Sequence, residues 1–108
     1  MDLPRQHVRD ELRRFVEERD WAQFHSPANL AKSISIEAAE LLECFQWSDD
    51  YDATDVRLEL ADVLTYAYLL ADRLGESPDQ LILEKLAITR RKYPSATFRG
   101  RSDKHDQL

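Results

Sequence analysis

Residues 53–74 read ATDVRLELADVLTYAYLLADRL. Val56, Leu60, Val63, Leu64, Ala67, Leu70, Ala71 and Leu74 recur at helical spacing and form one face, which Tyr66, Tyr68 and Leu69 widen. Gly75 follows, a residue suited to the left-handed position that stops a helix. The stretch predicts a long helix from about Ala53 to Leu74. Its apolar surface is too broad for a chain of 108 residues to cover, so a homodimer or homotetramer is expected.

Working outward, Ser48–Asp52 is a polar break, and a second helix is predicted before it, from roughly Leu30 to Phe45. Ile34, Ala38, Leu41 and Phe45 form its stripe. Further upstream, Val8, Leu12, Phe15 and Val16 share a face of a first helix over about Pro4–Asp20. The stretch Trp21–Asn29 is less regular, with Ser26-Pro27 marking a turn or a new start. Downstream, Ser77 caps a fourth helix, Pro78 takes its first position and Gln80 completes a capping box. Pro94 ends that helix after Tyr93, and residues 95–108 read as a loose basic tail. The expectation is one all-α domain over 1–108, four-helix bundle-like, with its core at about 4–94.

Composition narrows the function classes. Apolar residues at 43% and charged residues at 33%, with only two glycines, describe a folded domain and not a disordered tract. No apolar run could span a membrane. A single cysteine, Cys44, forms no internal disulfide and fits a reducing compartment, so a cytoplasmic location is expected. The net charge of −6 argues against a nucleic-acid polymer as partner. The charge is uneven, however. Residues 85–108 carry Lys85, Arg90, Arg91, Lys92, Arg99, Arg101 and Lys104 against Asp103 and Asp106. An acidic body with a basic end suits a small anionic ligand held between metal-binding carboxylates and cations.

Glu37-Ala38-Ala39-Glu40 and Glu59-Leu60-Ala61-Asp62 place an acid-x-x-acid pair on each central helix. Spacing of three puts both members on one face, close enough to share a cation. Their neighbours are apolar, so four facing carboxylates would repel and lose hydration unless a positive charge offset them. Oxygen-only ligands indicate Mg²⁺, with Mn²⁺ second, and not zinc. A diiron bundle needs histidines on the ligand helices, whereas His7, His25 and His105 lie off them. No glycine-rich phosphate loop occurs. Trp21, Trp47 and Tyr66 offer flat rings for a base, or else pack in a core. Arg90, Arg91, Lys92 and Tyr93 suit phosphate oxygens, or simply the negative end of the fourth helix.

These residues form an ordered series: Glu18-Arg19-Asp20-Trp21-Ala22-Gln23-Phe24-His25, Asn29-Leu30, Glu37 to Glu43, Phe45-Gln46-Trp47, Glu59 to Leu64, and Arg90-Arg91-Lys92-Tyr93-Pro94. Over roughly residues 12–94 the chain resembles the all-α nucleoside triphosphate pyrophosphohydrolases of the MazG-like type. The resemblance implies Mg²⁺ on Glu37, Glu40, Glu59 and Asp62, and a nucleotide pocket lined by Trp21, His25, Trp47, Tyr66 and Thr89. It implies Arg91, Lys92 and Tyr93 near the phosphates, and an oligomer whose subunits share the site. The expected reaction is attack of water on the α-phosphorus of a nucleoside triphosphate, dCTP or a modified dCTP, with Glu37 or Glu40 taking the proton. Leu12 and Thr89 stand where cytosine-specific members carry histidine and asparagine, so a relaxed pyrimidine preference is expected. A dUTPase-like or broad house-cleaning pyrophosphatase, and a non-catalytic helical interaction protein, are the alternatives.

Overall fold

The computed structural model describes residues 3–101, with side chains described from residue 7. Among these residues it is all-α, without a strand: α1 (Leu3–Glu18), a 3-10 turn (Ala22–Phe24), α2 (Pro27–Glu43), α3 (Ala53–Arg73), α4 (Pro78–Lys92) and the short α5 (Ser95–Phe98). Two compact units divide the chain, residues 1–76 and residues 77–108.

In the first unit α2 and α3 pack against each other most extensively, and α1 lies against α3. The nine residues 44–52 return the chain from α2, which makes the pair an antiparallel hairpin. Caps set the ends of both helices. Ser26 Oγ accepts from Asn29 N at 3.1 Å, and Pro27 fills the first helical position, where no donor is required. Asp52 Oδ1 accepts from Thr54 N at 2.9 Å and Asp55 N at 3.1 Å. At the far end of α3, Gly75 has φ 71°. Gly75 N donates to Asp72 O at 3.0 Å and Glu76 N to Ala71 O at 2.9 Å, the paired bonds of a Schellman stop.

The start of α2 differs from the sequence expectation of about Leu30. Ser26-Pro27 is a cap followed by a first-turn proline, and the helix begins three residues before Leu30. The first helix closes at Glu18 and not Asp20, because Asp20 adopts φ 51°, which leaves the helical region. The second helix closes at Glu43, two residues short of Phe45.

Core packing is slight. Val16, Leu30 and Ala71, one from each of α1, α2 and α3, are the described apolar side chains that become buried. A bidentate ion pair adds to the α1–α3 contact, with Arg13 Nε donating to Asp72 Oδ2 at 2.9 Å and Nη2 to Oδ1 at 2.5 Å. Large apolar side chains on α3, Leu58, Leu60, Leu64 and Leu74, remain exposed.

In the second unit Ser77 Oγ accepts from Gln80 N at 3.4 Å, which sets the first turn of α4 as expected. Tyr93 N reaches Thr89 O at 2.9 Å, and Pro94 then breaks the register. The stretch expected as loose tail forms a turn of helix at Ser95–Phe98, where Tyr93 and Phe98 pack edge to face at 5.0 Å. Lys104 and His105, and the rest of 102–108, lie outside the described residues.

Candidate functional site

The seam that α2 offers to its surroundings runs Leu30, Ser33, Ile34, Glu37, Leu41, Cys44 and Phe45, none of them exposed. Leu30, Glu37 and Cys44 are seven residues apart and so fall almost in line along the helix. On α3 the corresponding seam is Val56, Glu59, Val63, Tyr66 and Leu70. Glu37 and Glu59 thus occupy positions where periodicity calls for an apolar residue. Glu40 and Asp62, three residues on in each helix, are exposed at the rim.

The antiparallel hairpin brings these four together. One ligand oxygen from each of Glu37, Glu40, Glu59 and Asp62 lies within 4.8 Å of the others, and among the described residues no histidine or other acid joins the group. Glu37 Oε2 and Glu59 Oε2 are buried atoms without a hydrogen-bond partner. No cationic side chain pairs with any of the four among the described ion pairs.

Electrostatics follow from that geometry. A hydrogen bond with Glu40 is the largest influence on Glu37, followed by desolvation and by the charges of Glu40, Asp62 and Glu59, and together they push its carboxyl up to about 7. Glu59 is pushed up as well, first by desolvation and then by Glu40. A bond between two carboxyls exists only while one of them keeps a proton. The orphaned oxygens, the all-oxygen donor set and the missing counter-charge fit a hard divalent cation. Cys44, one helical turn past Glu40, is half-buried with its thiol raised by desolvation and by Glu59.

The other expected site residues are spread over several elements. Trp21 caps the 3-10 turn and is 42% exposed, edge-on to Phe15 at 5.5 Å. The Arg19 guanidinium lies 3.8 Å from the Phe15 ring centre. His25, half-buried, lines a crevice of about 300 Å³ with Arg13, Val16, Leu30, Asp72 and Arg73, apart from the carboxylates. Trp47 is 90% exposed in the loop after α2, while Tyr66 stands one turn beyond Asp62 on the α3 seam. Thr89, Arg91, Lys92 and Tyr93 belong to the second unit. There Thr89 Oγ1 donates to Lys85 O at 3.0 Å, and Arg90, Arg91 and Lys92 complement the last turn of α4. Asn29, quoted with Leu30 in the ordered series but given no role there, crosses back with its side chain to Phe24 O at 3.0 Å. The Ser26-Pro27 pair would have placed it in the first turn of α2.

The chain is 38% identical over 104 residues to dCTP pyrophosphatase 1 of Homo sapiens and 36% identical to that of Bos taurus, alignments that cover 87% of this chain. It spans about three-fifths of the length of these relatives, 61% and 62%. The crystal structure of a pyrophosphatase from Archaeoglobus fulgidus superimposes with a TM-score of 0.77 at 41% identity, covering 82% of this chain and 91% of that one. The profile of the MazG-like family matches residues 32–108, a span that begins in α2 and takes in all four carboxylates. The chain belongs to the MazG-like family.

Proposed function

We propose that the chain hydrolyses a nucleoside triphosphate to the monophosphate and pyrophosphate at a Mg²⁺ centre held by Glu37, Glu40, Glu59 and Asp62. The observation that carries this reading is the convergence of four carboxylates within 4.8 Å, two of them with buried oxygens that lack a partner. When bound, the cation supplies Lewis-acid neutralisation of the triphosphate and acidifies the attacking water. The activities for which the relatives are named, dCTP pyrophosphatase 1 and pyrophosphatase, favour release of pyrophosphate.

In this reading Glu37 and Glu59 hold the cation from the seam, and Glu40 and Asp62 hold it from the rim. Glu40 or Glu37 accepts the water proton. Exposed aromatic faces at Trp21 and Trp47, with Tyr66, stack on the base, and His25 joins them in the nucleotide pocket. Arg91, Lys92 and Tyr93 meet the phosphates and stabilise departing pyrophosphate. Thr89 meets the base edge. Its hydroxyl hydrogen is already given to Lys85 O, so it can only accept there. An acceptor is satisfied by the 4-amino group of cytosine and by the ring N–H of thymine or uracil alike. The preferred substrate is dCTP or a 5-substituted relative, with dTTP or dUTP also used.

The site is completed by a second copy of the chain in a homodimer or homotetramer. Support comes from the three-residue buried core set against the exposed leucines of α3. No helix of the described residues is long and apolar enough to cross a membrane. Pyrophosphate release measured over a panel of canonical and modified nucleoside triphosphates tests the proposal. Release from a pyrimidine deoxynucleotide, abolished in Glu40→Gln and Asp62→Asn with helicity intact, is expected. Full activity in both variants would remove the site assignment.

A further inference from the structure

The turn between α1 and α2 is built stiffly for a surface connection. Trp21 N and Arg19 N both donate to Val16 O, at 3.1 and 3.3 Å, and the Arg19 side chain returns to Phe15 O at 3.1 Å. Asp20 takes the left-handed conformation at φ 51°, a position that only a few residue types besides glycine tolerate. Gln23 Nε2 holds it there by donating to Asp20 O at 2.9 Å and to Asp20 Oδ2 at 3.2 Å. All of these bonds lie on the α1 side of the turn or within it. They fix its shape, but they do not fix where it sits relative to α2.

That second task falls to Asn29. It is the third residue of α2, its backbone N–H is taken by the Ser26 cap at 3.1 Å, and its side-chain Nδ2 donates to Phe24 O at 3.0 Å. Phe24 O is the last carbonyl of the 3-10 turn, one residue before His25 and three after Trp21. The next residue of α2, Leu30, is the most buried side chain described, so Asn29 is anchored at a rigid point. The same helix carries Glu37 eight residues on, about 12 Å along its axis. One side-chain hydrogen bond therefore ties the segment bearing Trp21 and His25 to the element bearing Glu37 and Glu40.

We infer that Asn29 is a positioning residue: it holds Trp21 and His25 in place for the nucleotide, at a fixed offset from the carboxylates. The inference rests on the function proposed above. Asn29 touches neither nucleotide nor cation itself. Loss of its amide frees the turn without altering the cluster, so the cost falls on nucleotide binding and not on the chemical step.

Asn29→Asp tests this, since it keeps the shape and replaces the donor with a carboxylate that Phe24 O repels. In the otherwise wild-type chain, KM for the best nucleoside triphosphate should rise roughly three- to tenfold, the worth of one hydrogen bond, while kcat stays within about twofold. In a Trp47→Phe background, where Trp21 is the remaining tryptophan, its fluorescence anisotropy should fall. Mg²⁺ binding by calorimetry should be unchanged. Asn29→Ser is the second variant: serine is well tolerated in a first helical turn and its short hydroxyl cannot span to Phe24 O, so the same changes are expected should the aspartate variant not fold. A lowered melting temperature with KM unchanged would show a merely structural residue and overturn the inference. Unchanged Trp21 anisotropy would overturn it too. Absence of pyrophosphate release from the wild-type chain on every nucleotide would remove the proposed function, and the anisotropy would still decide whether Asn29 holds the turn.

Discussion

Replacing Glu37 with glutamine should stabilise the cation-free protein and sharply weaken its response to magnesium. Two unit charges 4.8 Å apart repel by about 3.5 kcal/mol at an effective dielectric of 20, and by about 0.9 kcal/mol in water. Glu40 and Asp62 are exposed, so the lower figure is the better guide for pairs that include them. Glutamine at 37 removes three such repulsions, but a carboxyl with its affinity raised to about 7 is already half neutral at that pH. About 1–2 kcal/mol of relief remains in mildly alkaline solution after solvent screening. For a chain of this size that is a rise in Tm of several degrees.

The pH dependence has a definite sign. Glu37 is raised above its ordinary value of 4.5, so the folded state holds the proton more tightly than the unfolded state does. Its stabilising contribution is fully present below about 4.5 and is lost as pH rises through about 7. Without cation, the gain from Glu37→Gln should therefore be large at pH 8, much smaller at pH 5, and vanish only below about 4.5. With magnesium the order inverts. At a hundred times its dissociation constant a cation adds about 2.7 kcal/mol to the wild type. The variant, with a weaker ligand at the seam, should gain far less. Differential scanning calorimetry at pH 5 and 8, with and without magnesium, reads all four conditions. A variant less stable than wild type at pH 8 without cation would refute the electrostatic argument, and a wild type indifferent to magnesium would refute the assignment of the cluster.

Three further outcomes are expected. Asp72→Asn should lower stability by about 0.5–1 kcal/mol, since the ion pair with Arg13 is half exposed; Arg13 lowers the Asp72 pKa, so this contribution is present above 3.8 and fades as pH falls through the lower folded value, which acid titration followed by circular dichroism will show. Trp47→Ala should raise KM by a similar factor for every accepted base, because stacking carries affinity without choice, and base-dependent factors in the steady-state kinetics would contradict its role. Light scattering at micromolar concentration should give the mass of a dimer or tetramer, and a monomer would remove the shared-site reading.

The parts of this fold that sequence made legible are those governed by periodicity. The long helix runs Ala53–Arg73 with Gly75 beyond it, as apolar spacing and a lone glycine require. The two acid pairs were legible for the same reason: spacing of three on a helix leaves little choice of face, and apolar flanks mark the edge of a seam. The turn between α1 and α2 carries no period. Its shape depends on a left-handed Asp20 and on hydrogen bonds from Gln23 and Asn29, which share no repeating signal. The Arg13–Asp72 pair joins residues 59 apart, and it requires the α1–α3 register, which no local pattern contains. Aromatic candidates fared unevenly on the same ground. Tyr66 sits on a periodic helix beyond Asp62, whereas Trp21 and Trp47 sit on connections whose direction the spacing leaves open.

What periodicity could not reveal is that the site is made by breaking it. An apolar residue at 37 or 59 would continue the seams of α2 and α3 and add buried area to a unit that has little. A carboxylate there instead leaves an oxygen buried without a partner and raises its own pKa. Two such departures face each other across one hairpin, and neither has a cationic side chain to offset it among the described ion pairs. Local rules are broken in this way where function, and not folding, selects the residue. The cost to the hairpin is what a bound cation would recover, since it replaces repulsion among four oxygens by attraction to one charge. Affinity for a cation at this cluster and instability without it would thus share one cause. A chain with so small a core can carry that strain because α2 and α3 are long enough to be held at both ends by caps and by Leu30 and Ala71, with the carboxylates between.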